Sequence, residues 1–189
     1  MITVGALRSK KHPLLTAVGS RRVEREGLLF HERHNQRQGE PTVEKGFYTQ
    51  TDIREIVAYA SSRCIEIIPE IDMPAHSNAA LAAYPMLACP VVDKFIGVLP
   101  GLGGNHADII YCAGNENVYH FLQDVLDEVM ALFSFPVYSF RGVMRLGKRI
   151  GSNARFARNV SERKNWRMRK ICKAILMRRM SKYVQRQGA

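Results

Sequence analysis

Apolar residues recur at helical spacing in the stretch Gln50–Ser61, which predicts an amphipathic helix. Thr49 or Thr51 can cap its first turn, and Asp52 and Glu55 suit that turn because carboxylates favour the positive end of a helix. The predicted buried face consists of Ile53, Ile56, Val57 and Ala60.

A short run rich in β-branched residues follows this helix. The residues Cys64–Asp72 have the length and composition of a buried parallel strand, and they end in polar groups. The next segment, Ser77–Ala83, is rich in alanine and is predicted to be helical until it stops at Tyr84 and Pro85. The alternation of helices with a strand is typical of βα units.

The clearest helix is predicted over Asn115–Phe133, because one apolar stripe runs along it and the acidic residues lie off that stripe. With the preceding elements it predicts the α/β class with parallel strands. The stripe comprises Val118, Phe121, Leu122, Val125, Leu126, Val129 and Leu132, and the residues off it are Asp124, Asp127 and Glu128.

The last third of the chain differs in pattern and in charge. Arg141–Arg169 shows no sustained period, and only Ile171–Val184 has the pattern of a short basic helix. Of the 28 Lys and Arg residues of the chain, 16 lie in residues 138–189, against the single acid Glu162. Such an asymmetry is found in tails that bind nucleic acid or membranes, although a charge run is more often a solvated face or disorder.

Other broad classes have little support in the sequence. The cysteines form no CxxC pair, which argues against a zinc or redox site and against a disulfide framework. Residues 1–11 lack the apolar run of a signal peptide. No stretch approaches the roughly 20 apolar residues of a membrane span. We therefore expect no metal, no cofactor and no membrane partner. The cysteines are Cys64, Cys89, Cys112 and Cys172.

Three polar residues lie at or just after the end of the predicted strand: Glu70, Asp72 and His76. In a parallel α/β barrel, polar residues at the carboxyl ends of strands are the candidates for the active site. The alternative is that the two carboxylates cap the next helix and that His76 packs locally. Position alone leaves both interpretations open.

Three segments together resemble glycoside hydrolase family 20, the β-N-acetylhexosaminidases. Gly46–Ala60 resembles the segment before the third barrel strand of that family. Ile65–His76 is similar to the family's P-E-I-D-x-P-G-H strand and loop, and Tyr111–Glu116 is similar to its C-x-G-N-E segment. The match covers roughly residues 9 to 137, and the order of the segments makes it specific.

The resemblance implies an α/β fold, a partial (β/α)8 TIM barrel of two to three βα units with an irregular basic C-terminal tail. A complete barrel usually needs about 250 residues. It also implies retaining, substrate-assisted hydrolysis of terminal N-acetyl-hexosamine residues in N-acetylglucosaminides and N-acetylgalactosaminides, with no cofactor. Glu70, Asp72 and His76 then become substrate-pocket or supporting residues. Ala75 stands where the family has glycine, which bears on the backbone freedom of the loop. Intact members of the family are often exported, periplasmic or lysosomal.

The chain departs from the family after Pro136. The family's next strand ends in H-x-G-G-D-E, in which the glutamic acid protonates the leaving oxygen and the aspartate orients the acetamido group. Here Val137–Arg145 reads V-Y-S-F-R-G-V-M-R, and no acid occurs between Glu128 and Glu162. Without a side chain that donates a proton to the leaving oxygen, this hydrolysis is not catalysed. We therefore predict that the chain contains no catalytic pair and is inactive.

The genetic code suggests an origin for this departure. If Val143–Leu146 are encoded GTG, ATG, AGG and CTN, reading from the third base of each codon gives Asp-Glu-Ala, and Arg141 and Gly142 can shift to Gly-Gly. Similar shifts give family-like motifs further along and before Lys10. Our hypothesis divides the chain into an unmatched segment 1–9, a partial family 20 catalytic domain 10–137, a basic segment 138–177 in the wrong frame, and a family-like helix remnant 178–189. Residues 89–106 match neither frame.

Two other functions stay open as alternatives. The basic tail suits a nucleic-acid-binding protein, but it has few aromatic residues and no zinc-finger, homeodomain or RNP signature. We therefore do not predict nucleic acid as a partner. A non-catalytic carbohydrate-binding remnant is the other alternative, and it would need barrel strands that these residues do not supply.

Overall fold

The computed structural model describes residues 7–24, 36–44, 46–74, 76–89, 95–98, 110–133, 139–141 and 166–187. Helices and strands follow in chain order as α1 (Leu14–Ala17), β1 (Arg21–Arg22), β2 (Val43–Glu44), α2 (Gln50–Ser61), β3 (Glu70–Asp72), α3 (Asn78–Ala83), a 3-10 turn (Pro85–Leu87), α4 (Glu116–Met130), β4 (Ser139–Arg141) and α5 (Trp166–Arg186).

Helix α2 begins with a reciprocal capping arrangement. The hydroxyl of Thr49 accepts from the N–H of Asp52 at 3.2 Å, and the carboxylate of Asp52 accepts from the N–H of Thr49 at 2.7 Å. Each interaction satisfies a backbone donor that the first turn leaves open. The predicted helix is confirmed over its full length, and Thr49 rather than Thr51 is its cap.

The buried face of α2 is narrower than the pattern predicts. Ile53 and Ala60 are buried and Val57 packs partly against the core, but Ile56 is 39% exposed. The prediction for Ile56 was therefore wrong. An apolar stripe on a helix covers only part of its circumference, and a residue at the edge of the stripe stays open unless a neighbour covers it.

The strand predicted over Cys64–Asp72 is reduced to β3. Ile65 is 57% exposed and Ile68 is 47% exposed, so the interpretation as a buried strand was wrong for the first half of this run. A strand needs a partner for its backbone N–H and C=O groups. In the ranges that the structure describes, the partner of β3 is β4, and it pairs with Glu70–Asp72 alone.

Strands β3 and β4 are parallel, with Glu70 opposite Ser139, Ile71 opposite Phe140 and Asp72 opposite Arg141. Helices α3 and α4 lie between them in the chain, which is the crossover that parallel strands require. The predicted parallel arrangement is confirmed for this pair. A second pair, β1 with β2, is antiparallel, and the sequence pattern did not predict it.

Helix α4 supplies the largest part of the core. The side chain of Asn115 accepts from the N–H of Asn117 at 3.0 Å and caps the helix. Burying a large apolar side chain contributes roughly 1.5–3 kcal/mol, so this face anchors the surrounding elements. Every member of the predicted stripe is buried, namely Val118, Phe121, Leu122, Val125, Leu126, Val129 and Leu132.

Helix α5 is longer than the predicted Ile171–Val184. Its buried residues Leu176, Met180 and Val184 recur every four positions and belong to the same core as α4. Packing of such a face stabilises a helix beyond its own propensity. The rest of the segment predicted to be irregular lies outside the described residues, except for β4 and the start of α5. No helix that the structure describes is both long and apolar enough to cross a bilayer.

Candidate functional site

The loop after β3 turns sharply at His76. The hydroxyl of Ser77 donates to the carbonyl of Pro74 at 2.9 Å, and the N–H of Tyr111 donates to the same carbonyl at 3.1 Å. His76 has a φ of 58°, in the left-handed region, which histidine enters more readily than most residues but at a cost of roughly 1–2 kcal/mol. Two hydrogen bonds from distant and local groups therefore hold this turn.

This turn brings Asp72 and His76 together. The Nδ1 atom of His76 lies 3.2 Å from Oδ2 of Asp72. The Asp72 side chain is only 10% exposed, whereas the imidazole is 57% exposed. A carboxylate at one ring nitrogen fixes the orientation and the tautomer of the imidazole. The pair therefore presents an oriented imidazole to solvent at the end of a strand. Ala75, between them in the chain, lies outside the described residues.

The second carboxylate oxygen of Asp72 is also informative. Oδ1 is buried and has no hydrogen-bond partner among the residues that the structure describes. Such an atom costs free energy when no donor reaches it. A hydroxyl or amide N–H of a bound molecule can serve as that donor.

The third predicted residue, Glu70, lies elsewhere. It lines a small pocket between β3 and α4, with Ile71, Val129 and Phe133 among the other lining residues. Among the described residues, neither Asp72 nor His76 lines this pocket. The structure therefore unites two of the three candidates and separates Glu70 from them.

The capping alternative can be checked against helix α3. Its N-cap is Ser77, whose own side chain makes no capping hydrogen bond. The hydrogen bond of the Asp72 carboxylate is with His76 and not with the first turn of this helix. His76 contacts Asp72 and its side chain is 57% exposed, so it is not a packed core residue.

The carboxyl end of β4 lies beside that of β3, since Asp72 is opposite Arg141. The carboxyl ends of neighbouring parallel strands form one edge, where barrel enzymes place their site residues. The residues that follow Arg141, from Gly142 to Arg145, occupy the position in the chain where a second set of site residues would stand. They lie outside the described residues, as does most of segment 138–177 before α5.

The sequence analysis did not identify the role of one partly buried carboxylate, that of Glu128. Glu128 accepts four hydrogen bonds, from the hydroxyl of Ser9 at 2.9 Å, the N–H groups of Lys10 at 2.8 Å and Lys11 at 2.9 Å, and the side-chain amide of Gln50 at 2.6 Å. It joins the N-terminal segment and α2 to α4. The sequence shows only that Glu128 lies off the apolar stripe of the helix. Its hydrogen-bond partners are all distant in the chain, so no local pattern indicates them.

Metal chemistry has no candidate ligand set here. In the ranges that the structure describes, no group of three or more His, Cys, Asp or Glu side chains converges.

Two parallel strands are joined by a helical crossover, and an aspartate–histidine pair lies at the end of the first strand. These features define a piece of an α/β protein. A family model described as "Glycosyl hydrolase family 20, catalytic domain" matches residues 6–189. The chain therefore belongs to glycosyl hydrolase family 20, and this confirms the resemblance seen in the sequence. The family has the TIM-barrel fold.

Individual relatives agree with this assignment. A β-hexosaminidase of Porphyromonas gingivalis is 45% identical over 133 residues, which is 70% of this chain and 15% of the relative. The crystal structure of a β-N-acetylhexosaminidase from Bacteroides fragilis has 33% identity and a TM-score of 0.51 over 71% of this chain and 23% of its own. A Vibrio harveyi exo-β-N-acetylglucosaminidase solved with N-acetylglucosamine has 31% identity and a TM-score of 0.50, covering 69% of this chain and 19% of its own. The chain thus spans less than a quarter of each of these proteins.

Proposed function

We propose that this chain contains the supporting half of a β-N-acetylhexosaminidase site and lacks the half that performs catalysis. Asp72 and His76 are the residues that would contact the sugar or support the groups that do. Family membership supports this assignment, and so does the geometry of the pair, which lies at a strand end and includes a buried carboxylate oxygen that has no hydrogen-bond partner among the described residues. Glu70 has a smaller part in the proposal, because it lines a different pocket.

The substrates proposed are N-acetylglucosaminides and N-acetylgalactosaminides. In the substrate-assisted mechanism, the acetamido oxygen of the sugar attacks the anomeric carbon, and the leaving oxygen must receive a proton. A carboxylic acid supplies that proton, and a neighbouring carboxylate orients the acetamido group. The imidazole of His76 and the carboxylate of Asp72 lie beside such a pair in this proposal and do not replace it.

One observation leads to the proposal that the chain is inactive. Strand β4 is the neighbour of β3, where the proposed site would draw its acid and its orienting aspartate, and its last residue is Arg141. The chain continues as Gly142-Val143-Met144-Arg145, and no Asp or Glu occurs between Glu128 and Glu162. No carboxylate is thus available at the end of this strand, so we expect no hydrolysis.

The fold that accompanies this function is a partial barrel. We infer that residues 10–137 correspond to two to three of the eight βα units of a TIM barrel. We retain the division into segment 1–9, partial catalytic domain 10–137, basic segment 138–177 in the wrong frame, and helix remnant 178–189. Helix α5 crosses the last of these boundaries, and its contacts with α4 support the family-like interpretation of residues from 178 onward.

One basic residue of the tail, Arg179, forms contacts within the molecule. The guanidinium of Arg179 donates to the carboxylate of Glu116 at 2.8 and 2.5 Å and stacks over the ring of Tyr119 at 3.8 Å. These contacts favour an internal docking role for this part of the tail over nucleic-acid binding. A salt-dependent shift of DNA mobility by the chain would contradict that preference.

Sequencing the coding DNA tests the hypothesis that residues 138–177 are read in the wrong frame. We expect codons for Arg141–Leu146 that give Gly-Gly-Asp-Glu-Ala when read from the third base, as well as a base inserted or lost near residue 138 relative to the family reading. A gene corrected by one base at that junction should encode the acidic pair directly after β4. Codons that cannot encode Asp-Glu in the shifted frame would contradict the frame hypothesis.

A further inference from the structure

The residue that follows His76 is a buried serine. Ser77 is only 4% exposed, and its hydroxyl donates to the carbonyl of Pro74 at 2.9 Å. The carbonyl of Ser77 accepts from the N–H of Leu81 at 2.9 Å, in the first turn of α3. A buried hydroxyl is costly unless it forms a hydrogen bond, so the bond to Pro74 gives the Ser77 side chain one preferred orientation.

The hydrogen bond from Ser77 to Pro74 spans the residue whose backbone is strained. His76 lies between these two residues in the chain and has a φ of 58°. This conformation is unfavourable for a residue other than glycine, and it persists only where neighbouring contacts hold it. A bond from the side chain after His76 to the carbonyl before it opposes relaxation of that φ angle.

The two donors to the Pro74 carbonyl hold different parts of the turn. The N–H of Tyr111 donates to it at 3.1 Å from a segment that is distant in the chain. Tyr111 therefore holds the strand side of the turn, where Pro74 is fully buried. Ser77 connects that strand side to the start of α3, so its hydroxyl constrains the backbone on both sides of His76.

The conformation of His76 decides the state of its ring. Nδ1 lies 3.2 Å from Oδ2 of Asp72. A carboxylate accepts hydrogen bonds, so Nδ1 carries the proton of the neutral imidazole while this contact holds. Nε2 then has no proton and accepts hydrogen bonds. If the turn relaxes and the ring leaves Asp72, the proton is no longer confined to Nδ1.

We propose that Ser77 is a positioning residue of the Asp72–His76 pair, and that its hydroxyl keeps the proton of the neutral His76 imidazole on Nδ1 by closing the turn. This inference rests on the proposed function of the pair. It deepens that function, because it names Nε2 as the hydrogen-bond acceptor that the site offers to a hydroxyl of the sugar. Ser77 acts through the backbone of His76 and is not a catalytic residue.

The test is the tautomer of the His76 imidazole, measured by nitrogen-15 NMR on the full chain without sugar. The signals are assigned by their loss in His76→Gln, and the pH is about 8.5, well above the ordinary pKa of histidine. We expect the Nδ1–H tautomer to predominate in the wild type. In Ser77→Ala the ratio of the Nδ1–H to the Nε2–H tautomer should fall roughly fivefold, the factor that one ordinary hydrogen bond contributes to an equilibrium.

The Ser77→Ala variant is expected to fold. The N–H of Tyr111 still donates to the carbonyl of Pro74 in this variant, so that buried carbonyl does not lose its last donor. The large penalty for an unsatisfied buried group is therefore avoided.

Two further variants separate positioning from a general loss of stability. Ser77→Thr keeps a hydroxyl on the same carbon and should keep the wild-type tautomer ratio. Ser20→Ala removes a buried serine hydroxyl that donates to the carbonyl of Thr16 at 2.6 Å, which is the same kind of bond at another place. It should lower the free energy of unfolding and leave the tautomer ratio of His76 unchanged.

An unchanged ratio in Ser77→Ala would overturn the proposal, and so would an equal fall in Ser20→Ala or in Ser77→Thr. N-acetylglucosamine, added afterwards to the wild type, tests the proposed function by a separate signal. A change in the His76 shifts on addition of the sugar supports that function, and unchanged shifts contradict it. Because the tautomer ratio is measured before the sugar is added, the failure of either inference can be told from the failure of the other.

Discussion

The imidazole Nδ1 of His76 lies 3.2 Å from Oδ2 of Asp72, and the histidine holds this position with a left-handed backbone, at a φ of 58°. The contact depends on the turn after β3, because an extended chain would carry the ring away from the strand end. The hydroxyl of Ser77 and the N–H of Tyr111 both donate to the carbonyl of Pro74 and stabilise this turn. Backbone strain and side-chain geometry at this site are therefore linked.

The strain can be measured with two variants of His76. Both His76→Gly and His76→Ala remove the imidazole, but only glycine enters the left-handed region without a steric penalty. We expect the glycine variant to have the larger free energy of unfolding, by about 1 kcal/mol, in urea titrations. Equal stabilities would show that residue 76 does not adopt this conformation in solution.

The Glu128 carboxylate should be important for stability. Glu128→Gln replaces one acceptor oxygen with an N–H₂ group that faces donors, and a hydrogen bond to a charged group is worth about 1.5–3 kcal/mol. We expect a loss of roughly 2–4 kcal/mol in the free energy of unfolding. Glu55→Gln is the matched control, because Glu55 is exposed on α2, and it should change stability by less than about 0.5 kcal/mol. Similar losses in the two variants would argue against the four-bond arrangement.

The ionisation of Tyr183 should make the stability of the fold depend on pH in the alkaline range. Burial and the hydrogen bond that its hydroxyl donates to Asp127, at 2.6 Å, raise the pKa of Tyr183 to about 12. In the unfolded chain the phenol of Tyr183 ionises near pH 10, so the folded state favours the neutral phenol. The resulting stabilisation is complete below pH 10 and is lost as the pH rises from 10 to 12.

The measurement is the free energy of unfolding of the wild type and of Tyr183→Phe between pH 9 and pH 12. The variant cannot ionise at this position, so its stability should fall less steeply across that window, although it starts lower because it lacks the hydrogen bond to Asp127. Parallel curves would show that Tyr183 titrates alike in the folded and unfolded states.

The first half of the predicted strand should promote association. Ile65 and Ile68 are exposed next to β3, and an uncovered apolar strand segment is a site of edge-to-edge pairing. We expect the wild type to associate as its concentration rises, and Ile68→Lys to reduce this association, as measured by sedimentation velocity. Glu66→Gln changes the net charge by the same amount at an exposed neighbour and should leave association unaltered. An equal reduction in both variants would point to charge alone.

The elements that the sequence predicted well are those with local causes. Helices α2 and α4 follow from apolar spacing and from caps at Thr49 and Asn115, all of which lie within a few residues of one another. The Asp72–His76 pair was recognisable because a strand end and the family motif coincide there. Features that depend on residues close together in the chain can be read directly from the sequence.

The features that were missed depend on partners far along the chain. The length of β3 is set by β4, and the role of Glu128 by residues 78 to 119 positions away. The bridge between Ala88 and Tyr111 likewise joins segments that are distant in the chain. No local pattern specifies which of many possible long-range contacts will form.

Release of p-nitrophenol from its N-acetylglucosaminide, by the purified chain from a host without β-N-acetylhexosaminidases, tests the central claim most directly. The account predicts no release above buffer, because no carboxylic acid follows β4. An intact family 20 enzyme under the same conditions shows that the assay works. Turnover that copurifies with the chain and is lost in Asp72→Asn would contradict the account, since the chain would then contain a proton donor that this structure does not identify.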